Sequence, residues 1–423
     1  MLKIHDSHIK NINFSEKGKE LSSWARRNMP VLESIRQRFL IEQPLAGKKI
    51  GACLHITAET SNLIETLKAG GADVYLCASN PISTQDAITA YLVSQGIHVY
   101  ATHGENLDTY EEHTRMVLDA EPNIVIDDGG DLTKLLHSDY LDNTSKIIGG
   151  LEETTTGVIR IKNLERSGKL KYPIIAINDS KTKHMFDNRY GTGQSTVDAI
   201  LRSTNILLAG KKIVVAGFDM CGRGVAMRAA GMGADVIVTE IDPVRALEAM
   251  MEGYRVMPMD EAAQIGDVFV TVTGNKSVIN ERHFSLLKDN VVLANAGHFD
   301  CEIDLVKLKE LSKDYIKLRS AIEQYTLKNG RKVIVLAEGR LVNLCAAEGH
   351  PAEVMDMSFS NQSLGCEYLV KNKGLRTKVF DMPAEVDSVI ASLKLESHGI
   401  SIDVLTPTQF AYLSAWDEGT QNG

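Results

Sequence analysis

An excess of basic charge is missing from this chain: 46 Lys and Arg face 55 Asp and Glu, for a formal charge of -9. Lys and Arg are scattered rather than gathered on one stretch, which excludes the electrostatic footprint of a nucleic-acid binder. Close cysteine pairs are missing too. Cys53, Cys77, Cys221, Cys301, Cys345 and Cys366 form no C-x-x-C pair and no zinc-type spacing with histidine, so reduced thiols and no metal site are expected. No apolar run approaches the roughly 20 residues that cross a bilayer. The stretch Met1 to Glu16 is mixed and charged, without the apolar segment of a secretory signal. These absences predict a cytoplasmic protein with no membrane partner. Low-complexity tracts and short-period repeats are also absent.

What is present is the composition of an ordinary globular protein, 43% hydrophobic and 24% charged over 423 residues, long enough for two or three domains. Apolar runs at Ile50 to Leu54, Asp73 to Cys77, His98 to Tyr100 and Asn123 to Ile126 predict strands. They alternate with helical patterns at Thr60 to Ala69, Thr84 to Val93 and Tyr110 to Leu118, the last flanked by Asp108. A second series has its clearest strands at Ile213 to Ala216, Asp235 to Thr239, Val268 to Thr271 and Val291 to Ala294, with Val333 to Leu336 to follow. Alternation of this kind predicts α/β architecture: two doubly wound, Rossmann-like domains. A polar stretch around Asn188 to Ser195, containing Gly191 and Gly193, is the expected hinge. Asn343 to Pro351 is expected to lead back to the first domain, and Leu393 to Gly423 is expected to dock on another domain or subunit.

Polar clusters stand at the strand ends. Ile213 to Ala216 runs into Gly217-Phe218-Asp219-Met220-Cys221-Gly222-Arg223-Gly224, and Glu240 ends the next strand, where a carboxylate accepts from an adenosine ribose. Asp219 breaks the fingerprint G-x-G-x-x-G: its β-carbon and charge oppose the pyrophosphate, with Arg223 expected to offset the charge. The bland alternative is a plain glycine turn. His55, in Cys53-Leu54-His55-Ile56-Thr57-Ala58-Glu59-Thr60, ends the first strand. Asp127-Asp128-Gly129-Gly130-Asp131 ends another, as a polar site or as a solvated turn with Asp131 capping the next helix. Glu152-Glu153-Thr154-Thr155-Thr156-Gly157 suits either a site or a helix start. Lys183 and Asp187 lie four residues apart, a helical pairing that also suits a surface ion pair.

Taken in order, the motifs C-L-H-x-T-x-E-T, N-P-x-S-T-Q-D, D-D-G-G-D-L-T, E-E-T-T-T-G, N-D-S-x-T-K-x-x-F-D-N, G-H-F-D-x-E-I-D and A-E-G-R-L-V-N-L resemble the S-adenosylhomocysteine hydrolase family along nearly the whole chain. The resemblance implies a homotetramer in which tightly held NAD oxidises the nucleoside 3′-hydroxyl, homocysteine is eliminated, water adds, and the ketone is reduced again. It implies Lys183 and Asp187 at the 3′-hydroxyl, Glu153 on the ribose, His55 and Asp128 for proton transfer at C4′ and C5′, and His298 near the 3′ oxygen. Thr57, Glu59 and Thr60, with Met355, Phe359 and His350, are the implied substrate contacts. Thr154, Thr155, Thr156, Asn188, Gly217, Asp219, Gly222, Glu240, Arg245, Thr273, Asn343 and His350 are the implied NAD contacts. Residues 1–187, completed by 352–382, would hold the substrate; 188–351 would hold NAD; 383–423 would serve oligomerisation.

Arg245 departs from the asparagine of many relatives, which bears on the choice between NAD and its phosphorylated form. The chain also stops at Gly423 without the basic, tyrosine-containing tail, as in the shorter archaeal and thermophilic-bacterial branch. A silent nucleoside-binding member and a plain NAD dehydrogenase are the competing readings. Glu59 suits the amino group of adenine or the N1 proton of hypoxanthine.

Overall fold

The structure, a computed structural model, describes residues 2–4, 7–417 and 419. Residues 1, 5 and 6 of the amino-terminal stretch, and 418 and 420–423 of the expected docking segment, lie outside the described residues. Two sheets organise the rest. The first places its strands in the order Leu2–Ile4, Ser7–Ile9, His98–Tyr100, Asp73–Ala78, Lys49–Leu54, Ile124–Asp127, Gly149–Glu152, Ile174–Ala176, Val379–Asp381. All neighbours are parallel except the first pair. Central strands such as Ile124–Asp127 are buried throughout, which is why they read as continuous apolar runs rather than alternating ones.

The second sheet runs Arg255–Val256, Asp235–Thr239, Lys212–Ala216, Val268–Thr271, Val291–Asn295, Lys332–Leu336, Ile322–Leu327, Ser312–Arg319. Its first six strands are parallel and its last two close the edge as an antiparallel ribbon. From Lys49–Leu54 in the first sheet and from Lys212–Ala216 in the second, the chain starts centrally, steps toward one edge and returns to fill the other side. The point of reversal opens a crevice at the carboxyl ends of the two central strands. In the first sheet Cys53 lies opposite Asp127, so His55 and Asp128 emerge together. In the second, Ala216 lies opposite Thr271, so Gly217 and Thr273 do the same.

The expected strands are all present. The helices differ at their ends: Ala58–Ala69, Asp86–Ser94 and Leu107–Asp119. The last is capped by Asn106, whose side chain accepts from Thr109 N, with Asp108 in its first turn. Helices Ser15–Arg26 and Pro30–Glu42 and the antiparallel ribbon went unforeseen.

The polar stretch at Asn188 to Ser195, the expected hinge, is helical. A π-helical turn, Asp187–Gly191, runs straight into the helix Thr192–Thr204. Its glycines serve packing: a β-carbon on Gly193 would lie 2.5 Å from the backbone of Gly224, and one on Gly191 would lie 2.7 Å from the His350 ring. The segment after Val342–Cys345 leads into the helix Ala352–Lys371, which packs on helices of the first sheet. Helix Ala384–Ser397 also packs there. Beyond it, Ile402, Val404, Phe410, Leu413 and Trp416 are exposed, Trp416 at 94%. Among the described residues no helix is long and apolar enough to cross a membrane.

Candidate active site

Both crevices open into one cleft of about 860 Å³ between the two sheets. Its lining takes in every implied site residue but two, Glu59 and Gly222. Glu59 is half-buried behind Thr57, which bonds its carboxyl. Gly222 lies under the turn, where a β-carbon would collide with the carbonyl of Gly217.

On the first-sheet side, a buried cluster surrounds Lys183. Its Nζ donates to Asn188 Oδ1 at 2.7 Å and lies 3.3 Å from Asp187 Oδ2 and 3.7 Å from Glu153 Oε1. The short helix Lys181–His184 and the π-helical turn set the Lys183–Asp187 spacing, so this pair is no surface ion pair. Asp187 also accepts from Ser358 Oγ at 2.7 Å and is bonded to His350 Nδ1. With the Asn343 amide donating to Nε2 at 3.1 Å, the ring proton of His350 is placed on Nδ1.

Burial works against the charge on Lys183, yet Asp187 and then Glu153 outweigh it and raise the lysine pKa. Burial would raise Asp187 as well, but Lys183 and His350 hold it well below the usual carboxylate range. Glu153 is the carboxylate left over: burial pushes it up to about 8, against the pull of Lys183. One ammonium in a dry pocket balances one carboxylate, and the second keeps its proton.

Across the cleft, His55 Nε2 lies 3.6 Å from Asp128 Oδ2, and His298 Nδ1 lies 3.9 Å from Asp128 Oδ1. His55 Nδ1 meets Ser83 Oγ at 2.7 Å and Ser79 Oγ at 3.1 Å. Burial lowers His55 to about 3 and lowers His298, and it raises Asp128. The three ligand atoms lie within 4.8 Å of one another, the spacing that would also hold a cation. His298 reaches this cluster from the second sheet, against Gly129, where any β-carbon would strike its ring. Asp131 is not the cap of the following helix. Gly130 stands at the N-cap, Asp127 accepts from the first-turn amides Leu132 N at 3.3 Å and Thr133 N at 2.7 Å, and Asp131 meets Arg160.

The second-sheet side has the form of a dinucleotide site. Gly217 adopts φ +100, open only to glycine at low cost. Glu240 accepts from Phe218 N at 2.7 Å, Ile241 N at 2.6 Å and Asp242 N at 3.0 Å. Three of its four acceptor positions are thus used, and Oε2 keeps one for a ribose hydroxyl. Asp219 occupies the N-cap of the helix Met220–Gly231 but makes no capping bond with its side chain. Its carboxylate turns to Arg245, 3.6 Å away, and His184, 3.8 Å away. The expected partner Arg223 is instead bound to Glu252.

Thr154 caps the helix Thr155–Arg166 and donates to Glu152, a structural duty beside its place in the lining. Thr155 donates to Asn178. Thr273 is held by buried Glu302, which accepts from its N–H, its hydroxyl and Gly274 N. Among the described residues, buried Glu153 Oε1, Asp128 Oδ1 and Asn343 Oδ1 lack a hydrogen-bond partner, three polar atoms in the cleft suited to a hydroxylated, amide-bearing ligand. The residues therefore fit NAD and a nucleoside.

Asn178, Ser358, Gln362 and Glu302 were missed from sequence. Ser358 and Gln362 stand out only in the fold: Ala352–Lys371 carries Asp356, Ser358, Ser360, Asn361, Gln362 and Ser363 fully buried, more polar groups than a core helix tolerates without partners.

Two family models match. "S-adenosyl-L-homocysteine hydrolase" covers residues 6–146, and "S-adenosyl-L-homocysteine hydrolase, NAD binding domain" covers residues 188–349. The adenosylhomocysteinase of Aquifex aeolicus is 57% identical over 97% of this chain and 99% of its own. That of Thermosynechococcus vestitus is 57% identical over 98% and 97%. The S-inosyl-L-homocysteine hydrolase of Methanocaldococcus jannaschii is 52% identical over 97% and 99%.

Proposed function

From the premise that this chain belongs to the S-adenosyl-L-homocysteine hydrolase family and is an NAD-dependent hydrolase, we propose that it splits S-adenosyl-L-homocysteine reversibly into adenosine and L-homocysteine. The observation that carries this reading is the meeting of two proton-handling clusters, Lys183–Asp187–Glu153 and His55–Asp128–His298, in one cleft with the Gly217 turn.

NAD supplies the reversible hydride acceptor that makes the C4′ proton acidic beside a ketone. Lys183 takes the 3′-hydroxyl proton, Asp187 aligns it, and Glu153, as a neutral acid, bonds the ribose hydroxyls. A neutral His55 beside Asp128 is suited to move the proton at C4′ and to hand one to the leaving sulfur at C5′. His298 closes over the 3′ oxygen. Thr57, Thr60, Met355 and Phe359 hold the base, with Thr154, Thr155, Thr156, Asn188, Thr273, Asn343 and His350 around the nicotinamide half of NAD. The proposed division is 1–187 with 352–382 for substrate, 188–351 for NAD and 383–423 for assembly into a cytoplasmic homotetramer.

S-inosyl-L-homocysteine is the second reading. It is favoured by the name of the archaeal relative. Free homocysteine assayed against net NADH, on both substrates, is the test. Homocysteine without net NADH supports hydrolysis. Stoichiometric NADH without homocysteine would replace it by simple dehydrogenation.

A further inference from the structure

Two side chains 26 residues apart in sequence, Asp219 and Arg245, meet in space. Arg245 stands in the first turn of the helix Pro243–Met251, its N–H bonded to Asp242 Oδ1 at 3.1 Å. Asp219 stands at the glycine-rich turn. Their side chains approach to 3.6 Å, both line the cleft, and Glu240 lines it with them. An aspartate at an N-cap ordinarily bonds the second or third amide of its helix. Asp219 makes no such bond, so its carboxylate faces Arg245 and His184 instead.

The ribose end therefore holds an arginine beside the Asp219 carboxylate, with Glu240 in the same lining. A free guanidinium at the end of this strand is the group that would take a 2′-phosphate by charge-assisted, bidentate hydrogen bonds. Here that guanidinium is engaged by Asp219. We propose that Asp219 determines cofactor specificity: it holds Arg245 in an ion pair at the cofactor cleft and denies it to the 2′-phosphate of NADP, so that an arginine-bearing site remains an NAD site. The inference rests on the assignment of this cleft to NAD. It also gives the aspartate at the glycine position a use, since the amides of the following helix stay open to the pyrophosphate while the carboxylate is turned aside.

The test is calorimetric titration of the full chain, freed of bound cofactor, with NAD and with NADP, circular dichroism confirming that each variant is folded. Asp219→Asn removes the charge at nearly constant shape, and Asp219→Ser provides a second replacement. Either should lower the ratio of the NADP to the NAD dissociation constant by roughly tenfold, the size of one charge-assisted hydrogen bond to phosphate. Adding Arg245→Met to either should return the ratio to its starting value. That return separates release of Arg245 from a general relief of repulsion, which would favour both cofactors alike. Arg245→Met alone should leave the ratio within about twofold, because the guanidinium is already engaged. A ratio unmoved in both Asp219 variants, while NAD binds normally, overturns the specificity role alone. Failure of the unsubstituted chain to bind NAD overturns the cofactor assignment and the inference with it.

Discussion

Lys183 sits among four side-chain oxygens that all favour its ammonium form, whereas its proposed work at the 3′-hydroxyl needs the amine. With its pKa raised, the reactive amine is a minor species that grows about tenfold per pH unit. The single-turnover rate of 3′ oxidation should therefore rise with a slope near one across the neutral range. It should flatten once Glu153 ionises near 8 and adds a further charge favouring the ammonium. Rapid-mixing measurements of NADH formation against pH check this, and a rate level from pH about 6 to 8 would refute it. Lys183→Ala should slow the step by about 10²- to 10⁴-fold. Glu153 also affects stability. Its folded value of about 8 lies above the ordinary 4.5, so it contributes stability that is full below about 4.5 and is lost as pH rises through about 8. Glu153→Gln should shrink the fall in melting temperature between about pH 5 and 8; an unchanged fall would place the proton elsewhere.

Elements put these side chains in place through groups that never touch the ligand. Asp387, on the helix Ala384–Ser397, accepts from Lys181 N at 2.6 Å and Thr182 N at 2.9 Å, and from the Thr182 hydroxyl. It thereby caps, from more than 200 residues away, the short helix that carries Lys183. Asp387→Ala should cost about 0.5–2 kcal/mol in denaturant unfolding and slow 3′ oxidation, and Asp387→Asn should restore much of both. Full activity in the alanine variant would show that Lys183 is held by its own cluster. The close helix crossing at Gly193 works differently: a methyl there meets Gly224 backbone at 2.5 Å, which cannot rotate away. Gly193→Ala should destabilise by about 1–3 kcal/mol.

For the whole molecule, a cofactor held between two sheets links their stabilities. NAD added at about 100 times its dissociation constant should stabilise the chain by about 2.7 kcal/mol, seen as a higher melting temperature. At the other end of the chain, apolar side chains from Ile400 to Trp416 stay exposed, the kind of surface that marks a protein contact. Deleting residues 400–423 should leave circular dichroism and NAD binding intact but reduce the assembly seen by sedimentation. An unchanged sedimentation coefficient per chain would assign that surface elsewhere.

Nine strands were legible in the sequence, because buried parallel strands are continuous apolar runs and their carboxyl ends carry the polar groups: His55, Asp128, Gly217 and Glu240 stood out for that reason; Gly149–Glu152, with two glycines and a terminal carboxylate, was not. Local rules also foretold the Lys183–Asp187 pairing and the need for glycine at 217. What they could not supply was partnership between distant segments. Gly191 and Gly193 look like a linker until Gly224 and His350 are seen against them, and Arg223 looks like the counter-charge to Asp219 until Glu252 is seen to hold it. The ionisation of the site belongs to the tertiary structure for the same reason. Glu153 keeps its proton because burial and one available lysine are shared with Asp187, and both the burial and the sharing arise only when residues 153, 183, 187, 350 and 358 are folded into one dry pocket.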